Sequence, residues 1–342
     1  MRRAGGETTS SVRKNLCTVG VDLGGTNLKL ALIDAQGRII DQMIEPTRGE
    51  EGAERVLARI ATGVRRLAAA APGRVVAVGV GVPALIDMEA GVVLDLPNLP
   101  GRWPRVPVTD IVARETGLPA FLINDVRAFT VAEHSLGAAQ GTETAVCVAV
   151  GTGIGGGLIA HGRVVLGLGG SAGEVGHLIL ALDGPRCGCG NRGCAEVFAS
   201  GPAIAAEAIR RVLQGNTTTL RDLADGDLAA ITPALVAEAA AGGDPVAIEV
   251  LERAGTYLGL ALAGVIATLA PEIVVLGGGV AQPGGFYWRA AEAAARANSH
   301  VTEIDRIVFA PPALGYDAGV IGAAWWAKLA IATGGERAVV GS

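Results

Sequence analysis

The chain has 342 residues, half of them hydrophobic, with 28 Lys and Arg against 33 Asp and Glu and a net charge of −5. Neither sign forms a long run, which argues against nucleic acid as a partner, and no uninterrupted apolar stretch reaches the ~18–20 residues that crossing a bilayer requires. The length is about twice the common domain size of ~100–150 residues, so two domains sharing a cleft are expected.

Residues 1–14 are polar and basic and are not followed by the apolar core of a secretion signal, so they read as a flexible tail on a cytoplasmic protein. From Leu16 the run LCTVGVDLGGTNLKLALIDAQGRIIDQMI breaks at Gly-Gly and at Gln36-Gly37 into three β-rich segments, a meander. Residues 50–70 carry helical spacing, 74–82 and 118–124 read as buried strands, and a helix opens at Asp125, the alternation of an α/β domain. A second strand set begins near Thr144 and runs into the glycine-rich GTGIGGG at 151–157. Strand, glycine turn, strand thus occurs twice, which suggests an internally duplicated fold. Residues 200–270 are Ala-rich and helical. EIVVLGGGV (272–280), RIVFAP (306–311) and the helix YDAGVIGAAWWAKLA (316–330) close the sequence.

Asp22 ends the first strand, and Gly24, Gly25 and Thr26 form a turn whose backbone can approach a phosphate closely. A carboxylate there would hold Mg²⁺ directly or through water, although an ordinary hairpin with Asp before Gly-Gly has the same text. The order of a Walker A loop is absent, as is the GxGxxG fingerprint. Gly151, Thr152 and Gly153 offer a second loop with a hydroxyl and unhindered N–H groups. Its weight comes from its partnership with the first.

The five cysteines are not a disulfide framework, because Cys187, Cys189 and Cys194 crowd into CGCGNRGC and Cys17 and Cys147 lie in apolar runs. With His177 in GEVGH, three sulfurs and a nitrogen complete a tetrahedral zinc site that leaves no position for water, so the metal is expected to be structural. Glu174 and Glu196 flank this set. Carboxylates and an imidazole suit sugar hydroxyls because they accept and donate hydrogen bonds in an orientation that discriminates stereoisomers. Asn124-Asp125 sits at a strand-to-helix junction, where Asp125 reads alone as a helix cap. The helix dipole would favour the ionised form that a proton acceptor needs.

Together these segments resemble the ROK family of sugar kinases, repressors and related open reading frames. DLGGTN (22–27), INDVRAF (123–129), GTGIGGG (151–157), GEVGH (173–177), CGCGNRGCAE (187–196), LGGGV (276–280) and GYDAGVIGAA (315–324) carry the resemblance, in order, from Asp22 to about Ala330. It implies an actin-like, ribonuclease H-like duplicated α/β fold with an interdomain cleft. The domains would be 15–124, completed by a closing helix at 317–332, and 125–316 with the zinc loop. The implied activity is ATP-dependent phosphorylation of a hexose, the 6-hydroxyl of glucose by default. Asp125 would be the catalytic base, with Asn98, Asn124, Glu174, His177 and Glu196 as sugar contacts. Asp22, Gly24, Gly25, Thr26, Asn27, Gly151, Thr152 and Gly153 would surround the phosphates and Mg²⁺, and Gly278 and Gly279 would lie near the adenosine. His177, Cys187, Cys189 and Cys194 would hold zinc. A homodimer or homotetramer, without nucleic acid or membrane, is the implied assembly.

Two departures bear on the sugar. Ala84 stands where many members of the family carry glycine, and Val126-Arg127-Ala128-Phe129 differs from the Asn-Ala-rich version of plain glucokinases. Another hexose, an amino sugar, an N-acetylhexosamine or a cyclitol therefore stays open, as does polyphosphate as donor. A repressor is disfavoured by the short stretch before the first strand. A non-catalytic sugar sensor is disfavoured by Asp125 and both phosphate loops.

Overall fold

The computed structural model describes residues 16–96, 99–101 and 103–333; the expected tail at 1–14 and the expected sugar contact Asn98 lie outside them. The chain divides into two compact units. The first holds the chain to Gly141, the stretch Arg163–Ala172 and everything from Ala313, and the second holds Thr142–Gly162 and Gly173–Pro312.

In the first unit β1 (Leu16–Leu23), β2 (Asn27–Ile33) and β3 (Ile39–Pro46) form the expected antiparallel meander. Following them, α1 (Ala53–Ala69) leads to β4 (Arg74–Val82), parallel to β1, and to the small hairpin of β5 (Leu85–Asp87) and β6 (Val92–Asp95). After α2 (Val108–Thr116), β7 (Ala120–Asn124) adds parallel to β4 and completes the order β3-β2-β1-β4-β7. Alternation along β2 sorts the side chains by face. Leu28, Leu30 and Leu32 join Val56, Leu57 and Ile60 of α1 in one core cluster, whereas Ala31 and Ile33 join a second with residues of the closing helix. The hydrophobic face of α1 recurs at helical spacing for the same reason.

In the second unit β8 (Ala145–Val150) pairs antiparallel with β9 (Ile154–Ala160). The two-residue β10 (Arg163–Val164) follows in the first unit. The chain then passes through the short helix α4 (Glu196–Ala199), then α5 (Gly201–Leu213), α6 (Leu220–Leu223), α7 (Pro233–Ala241) and the long α8 (Pro245–Leu269). After these come β11 (Ile273–Gly277), parallel to β8, α9 (Phe286–Ala297) and β12 (Val308–Ala310), parallel to β11. Antiparallel then twice parallel is the pattern of β2-β1-β4-β7 repeated by β9-β8-β11-β12. The duplication read from the two glycine turns is therefore present in the sheets. Among the described residues α8 alone is long and apolar enough to cross a membrane, but its Val250, Leu251, Leu258, Leu262 and Ile266 are buried in the core of this unit.

The structure moves the expected domain boundary from Asp125 to Gly141. The reason is packing: α3 (Asp125–Leu136) lies against the closing helix α10 (Ala318–Ala332) so closely that a Cβ on Gly322 would stand 1.8 Å from the Ala128 carbonyl oxygen. On the sheet side of α10, a Cβ on Gly79 would stand 1.7 Å from the Ala323 oxygen, so only glycine admits the helix.

Candidate active site

Residues of the expected site form one group in each unit. In the first, β1 and β2 meet at the turn Gly24-Gly25-Thr26, closed by a bond from the Gly24 N–H to the Asn27 carbonyl at 2.9 Å. A Cβ on Gly24 would lie 2.8 Å from that oxygen, which is the steric demand behind this glycine. Thr47 braces the turn from β3's end: its hydroxyl donates to the Gly24 carbonyl at 2.7 Å and its N–H to the Thr26 carbonyl at 2.8 Å. Gly25, Thr26 and Asn27 stay exposed.

Asp22, half-buried, stands before this turn and against Gly319 in the first turn of α10, where a Cβ would come within 2.8 Å of its Oδ2. Burial pushes its carboxyl above the usual range, and Lys29, its partner across the β1–β2 register, pulls it back down. A carboxylate short of solvent beside open backbone suits a divalent cation. Lys29 is a residue the sequence reading passed over. Its ammonium is buried, donates to the Tyr316 carbonyl at 2.7 Å and pairs with Asp317 at 3.1 Å, tying the approach to α10 to the strand that follows the Gly24-Gly25-Thr26 turn. A lysine inside the apolar run LKLALI was the available signal.

At the same carboxyl end of the parallel strands, two strands over at the end of β7, Asn124 is the cap of α3. Its side-chain oxygen accepts from the Val126 and Arg127 N–H groups at 3.1 and 3.3 Å, and its amide nitrogen approaches the Val82 carbonyl at 3.4 Å. The expectation that Asp125 caps the helix when read alone is thereby corrected. Asp125 occupies the first helical position, half-buried, with Oδ1 accepting the Val126 N–H at 2.9 Å.

In the second unit, Gly151-Thr152-Gly153 joins β8 to β9, with the Gly151 N–H bonded to the Gly153 carbonyl at 2.9 Å and the Gly201 N–H to the Gly151 carbonyl at 2.8 Å. The strand end β11 reaches the same place: Gly278 has φ +94°, and a Cβ there would lie 2.2 Å from the Val150 oxygen. Gly151 and Gly279 differ, since a Cβ on either would meet nothing of this chain within 4 Å. Their bareness leaves room for a ligand beside the backbone.

His177, Cys187, Cys189 and Cys194 place their ligand atoms within 4.8 Å of one another. Bonds of ~2.3 Å to a tetrahedral zinc would set sulfurs about 3.8 Å apart. Cys189 and Cys194 are 3.7 Å apart, and the Cys187 sulfur is 3.6 Å from the His177 Nδ1. Burial, followed by hydrogen bonding with Cys189 and Cys187, pushes the Cys194 thiol up to about 12, and a cation bound there would favour its thiolate. The set fits structural Zn²⁺. Tight turns shape it: Gly193 has φ +67°, and a Cβ there would strike the Ala181 carbonyl at 1.7 Å.

His177 ends a single 3₁₀ turn, Val175–His177, with Glu174 at its start. Glu174 is exposed and His177 half-buried. Glu196 opens α4, and its carboxylate is engaged on both sides: Oε2 accepts the Ile154 N–H at 2.9 Å and Oε1 lies 3.8 Å from the Cys187 sulfur.

The sequence pattern of the ROK family matches residues 18–330. A glucokinase of Thermotoga maritima is 38% identical over 271 residues, covering 78% of this chain and 83% of that one. An N-acetylmannosamine kinase of Escherichia coli O139:H28 is 33% identical over 272 residues, covering 79% and 86%. Among solved structures, a ROK family glucokinase from Streptomyces griseus in complex with glucose and AMPPNP superposes with a TM-score of 0.78 at 33% identity, covering 91% of this chain and 99% of that one.

Proposed function

Because the chain belongs to the ROK family and is an ATP-dependent sugar kinase of its actin-like fold, we propose that it phosphorylates glucose on the 6-hydroxyl with Asp125 as proton acceptor. The observation that carries the role of Asp125 is its place beside the cap. Asn124 satisfies the amino end of α3, so the Asp125 carboxylate is not required to cap the helix yet sits in the positive field of its first turn.

The hydroxyl oxygen forms a bond to the γ-phosphorus as the bond to the β,γ-bridging oxygen breaks, ADP leaves, and the hydroxyl proton passes to Asp125. The transition state of such a transfer is loose, so alignment and charge neutralisation count for more than basicity, and an ordinary carboxylate suffices. Glu174, His177 and Glu196, with Asn98 and Asn124, would hold the sugar. Only one amide hydrogen of Asn124 is left for it after the Val82 contact. Gly24, Gly25, Thr26 and Asn27 and, in the second unit, Gly151, Thr152 and Gly153 would face the phosphates, Gly278 and Gly279 the adenosine, and Asp22 the Mg²⁺. Zinc would be held by His177 Nδ1 and the three sulfurs, leaving Nε2 for a sugar hydroxyl. That metal organises the loop and supplies no step.

A second sugar, N-acetylmannosamine, is favoured by the Escherichia coli relative. A coupled assay of ADP release against a panel of glucose, mannose, amino and N-acetyl sugars and cyclitols, with the phosphorylated position identified in the product, decides between them. Absence of sugar-stimulated ADP release would favour a sensor. A homodimer or homotetramer in the cytoplasm completes the proposal, with light scattering as its check.

A further inference from the structure

Helix α3 buries two charges that the reaction does not use. Arg127 is 2% exposed and Glu133 fully buried, and buried charges are retained at a cost unless several hydrogen bonds compensate them. The Arg127 guanidinium donates through Nε, at 3.0 Å, and through Nη2 to one acceptor, the Ala172 carbonyl. Glu133 Oε2 accepts from the Ala138 N–H at 2.8 Å and the Ala313 N–H at 2.9 Å, and Oε1 from the Leu314 N–H at 2.9 Å. A Cβ on Gly137 would lie 2.2 Å from Oε2, so that glycine makes room for the carboxylate.

The identities of these partners matter. The chain leaves the first unit after Gly141, re-enters at Arg163, leaves again after Ala172 and returns at Ala313. Ala172 and Ala313 are boundary residues themselves, and Ala138 opens the short segment that ends at Gly141. Two side chains of one helix therefore fasten the first unit's ends of three of the four crossings. Helix stability does not explain Glu133: a carboxylate in the last turn opposes the macrodipole, and the groups left open there are carbonyls.

We propose that Glu133 and Arg127 are positioning residues for phosphoryl transfer, fastening the crossing segments to the helix that begins at Asp125 so that the path of those segments sets where the Asp125 carboxylate stands. This rests on the reading of Asp125 as the proton acceptor.

The test uses the full chain and the variants Glu133→Gln, Arg127→Lys, Asp125→Asn and, as a buried carboxylate remote from α3, Asp244→Asn. In Glu133→Gln, kcat should fall at least about tenfold while the glucose Kd from calorimetry changes less than about threefold, and amide exchange at Ala313 and Leu314 should quicken about tenfold. Asp244→Asn should lower Tm and leave the kcat of the folded protein unchanged. Wild-type kcat in folded Glu133→Gln, or a fall no larger than in Asp244→Asn, overturns the proposal. If Glu133→Gln does not fold, Arg127→Lys carries the same test, since it keeps the charge but loses the two-pronged hold on Ala172. Should Asp125→Asn turn over like the wild type, the reading of Asp125 fails instead. Unchanged exchange at Ala313 and Leu314 would then refute the fastening as well, and faster exchange would sustain it.

Discussion

Glu196 accepts a hydrogen bond from the Ile154 amide at 2.9 Å, and its other oxygen faces the Cys187 sulfur at 3.8 Å. One side chain therefore stands between the zinc ligands and the end of the second glycine turn. Glu196→Gln keeps the shape but loses the charge behind that bond, an interaction worth about 1.5–3 kcal/mol, or roughly tenfold or more in affinity. The KM for ATP should rise along with that for sugar. If steady-state kinetics show only the sugar constant moving, Glu196 is a sugar contact and not a brace for the loop.

Asp125→Asn should lower kcat by about 10²- to 10⁴-fold, the usual contribution of a positioned proton acceptor, with glucose binding nearly unchanged. The Asn124 cap is untouched by the substitution, so thermal stability should hold. Calorimetric glucose titration beside the coupled assay measures both, and wild-type turnover would remove Asp125 from the reaction.

Purified protein should carry a stoichiometric zinc by elemental analysis. Stripping it with a chelator should lower the unfolding midpoint and raise the sugar KM together, if His177 serves both sets as proposed. Cys189, the exposed member, is the point of attack. A Cys189→Ser variant should lose metal more readily than the wild type in a competition titration with a chromophoric chelator.

Asp244 caps α8 and is 5% exposed. Burial opposes its ionisation, but the N–H groups of Ala247 and Thr219 and the hydroxyls of Thr218 and Thr219 outweigh it and hold the carboxyl below its usual range. A depressed folded pKa means that the stabilisation is complete above the unfolded value of about 3.9 and is lost as pH falls through the folded one. Asp244→Asn should therefore cost about 2 kcal/mol or more at pH 7. The gap from wild type in denaturant titrations should narrow below about pH 4; a gap independent of pH would mean that the charge contributes nothing.

Much of this architecture could be read from residue order. Gly24-Gly25 and Gly151-Thr152-Gly153 marked both hairpin turns, and the Cys and His spacing assembled a ligand set whose atoms converge. What escaped was tertiary in origin. Nothing local distinguishes Asn124 from Asp125 as the cap until the direction of β7 is known. The boundary moved to Gly141 because α3 packs on a helix that follows it by almost two hundred residues, too far for periodicity to register. Arg127 and Glu133 look like solvated helix charges in sequence, and Lys29 looks like a stray polar residue on an inward-facing strand. Their burial depends on acceptors and donors at Ala172, Ala313, Leu314 and Tyr316.

The seating of α10 on Gly20 and Gly79 of the sheet has a consequence for biosynthesis. Sheet β3-β2-β1-β4-β7 emerges from the ribosome before the second unit, yet one of its faces waits for a helix translated after that unit, so that face stays uncovered while the second unit is made. The second unit, complete at Pro312, can settle first, and the first unit then folds only once α10 has left the exit tunnel. Nascent chains stalled before Ala318 should accordingly depend on chaperones that bind apolar sheet surface.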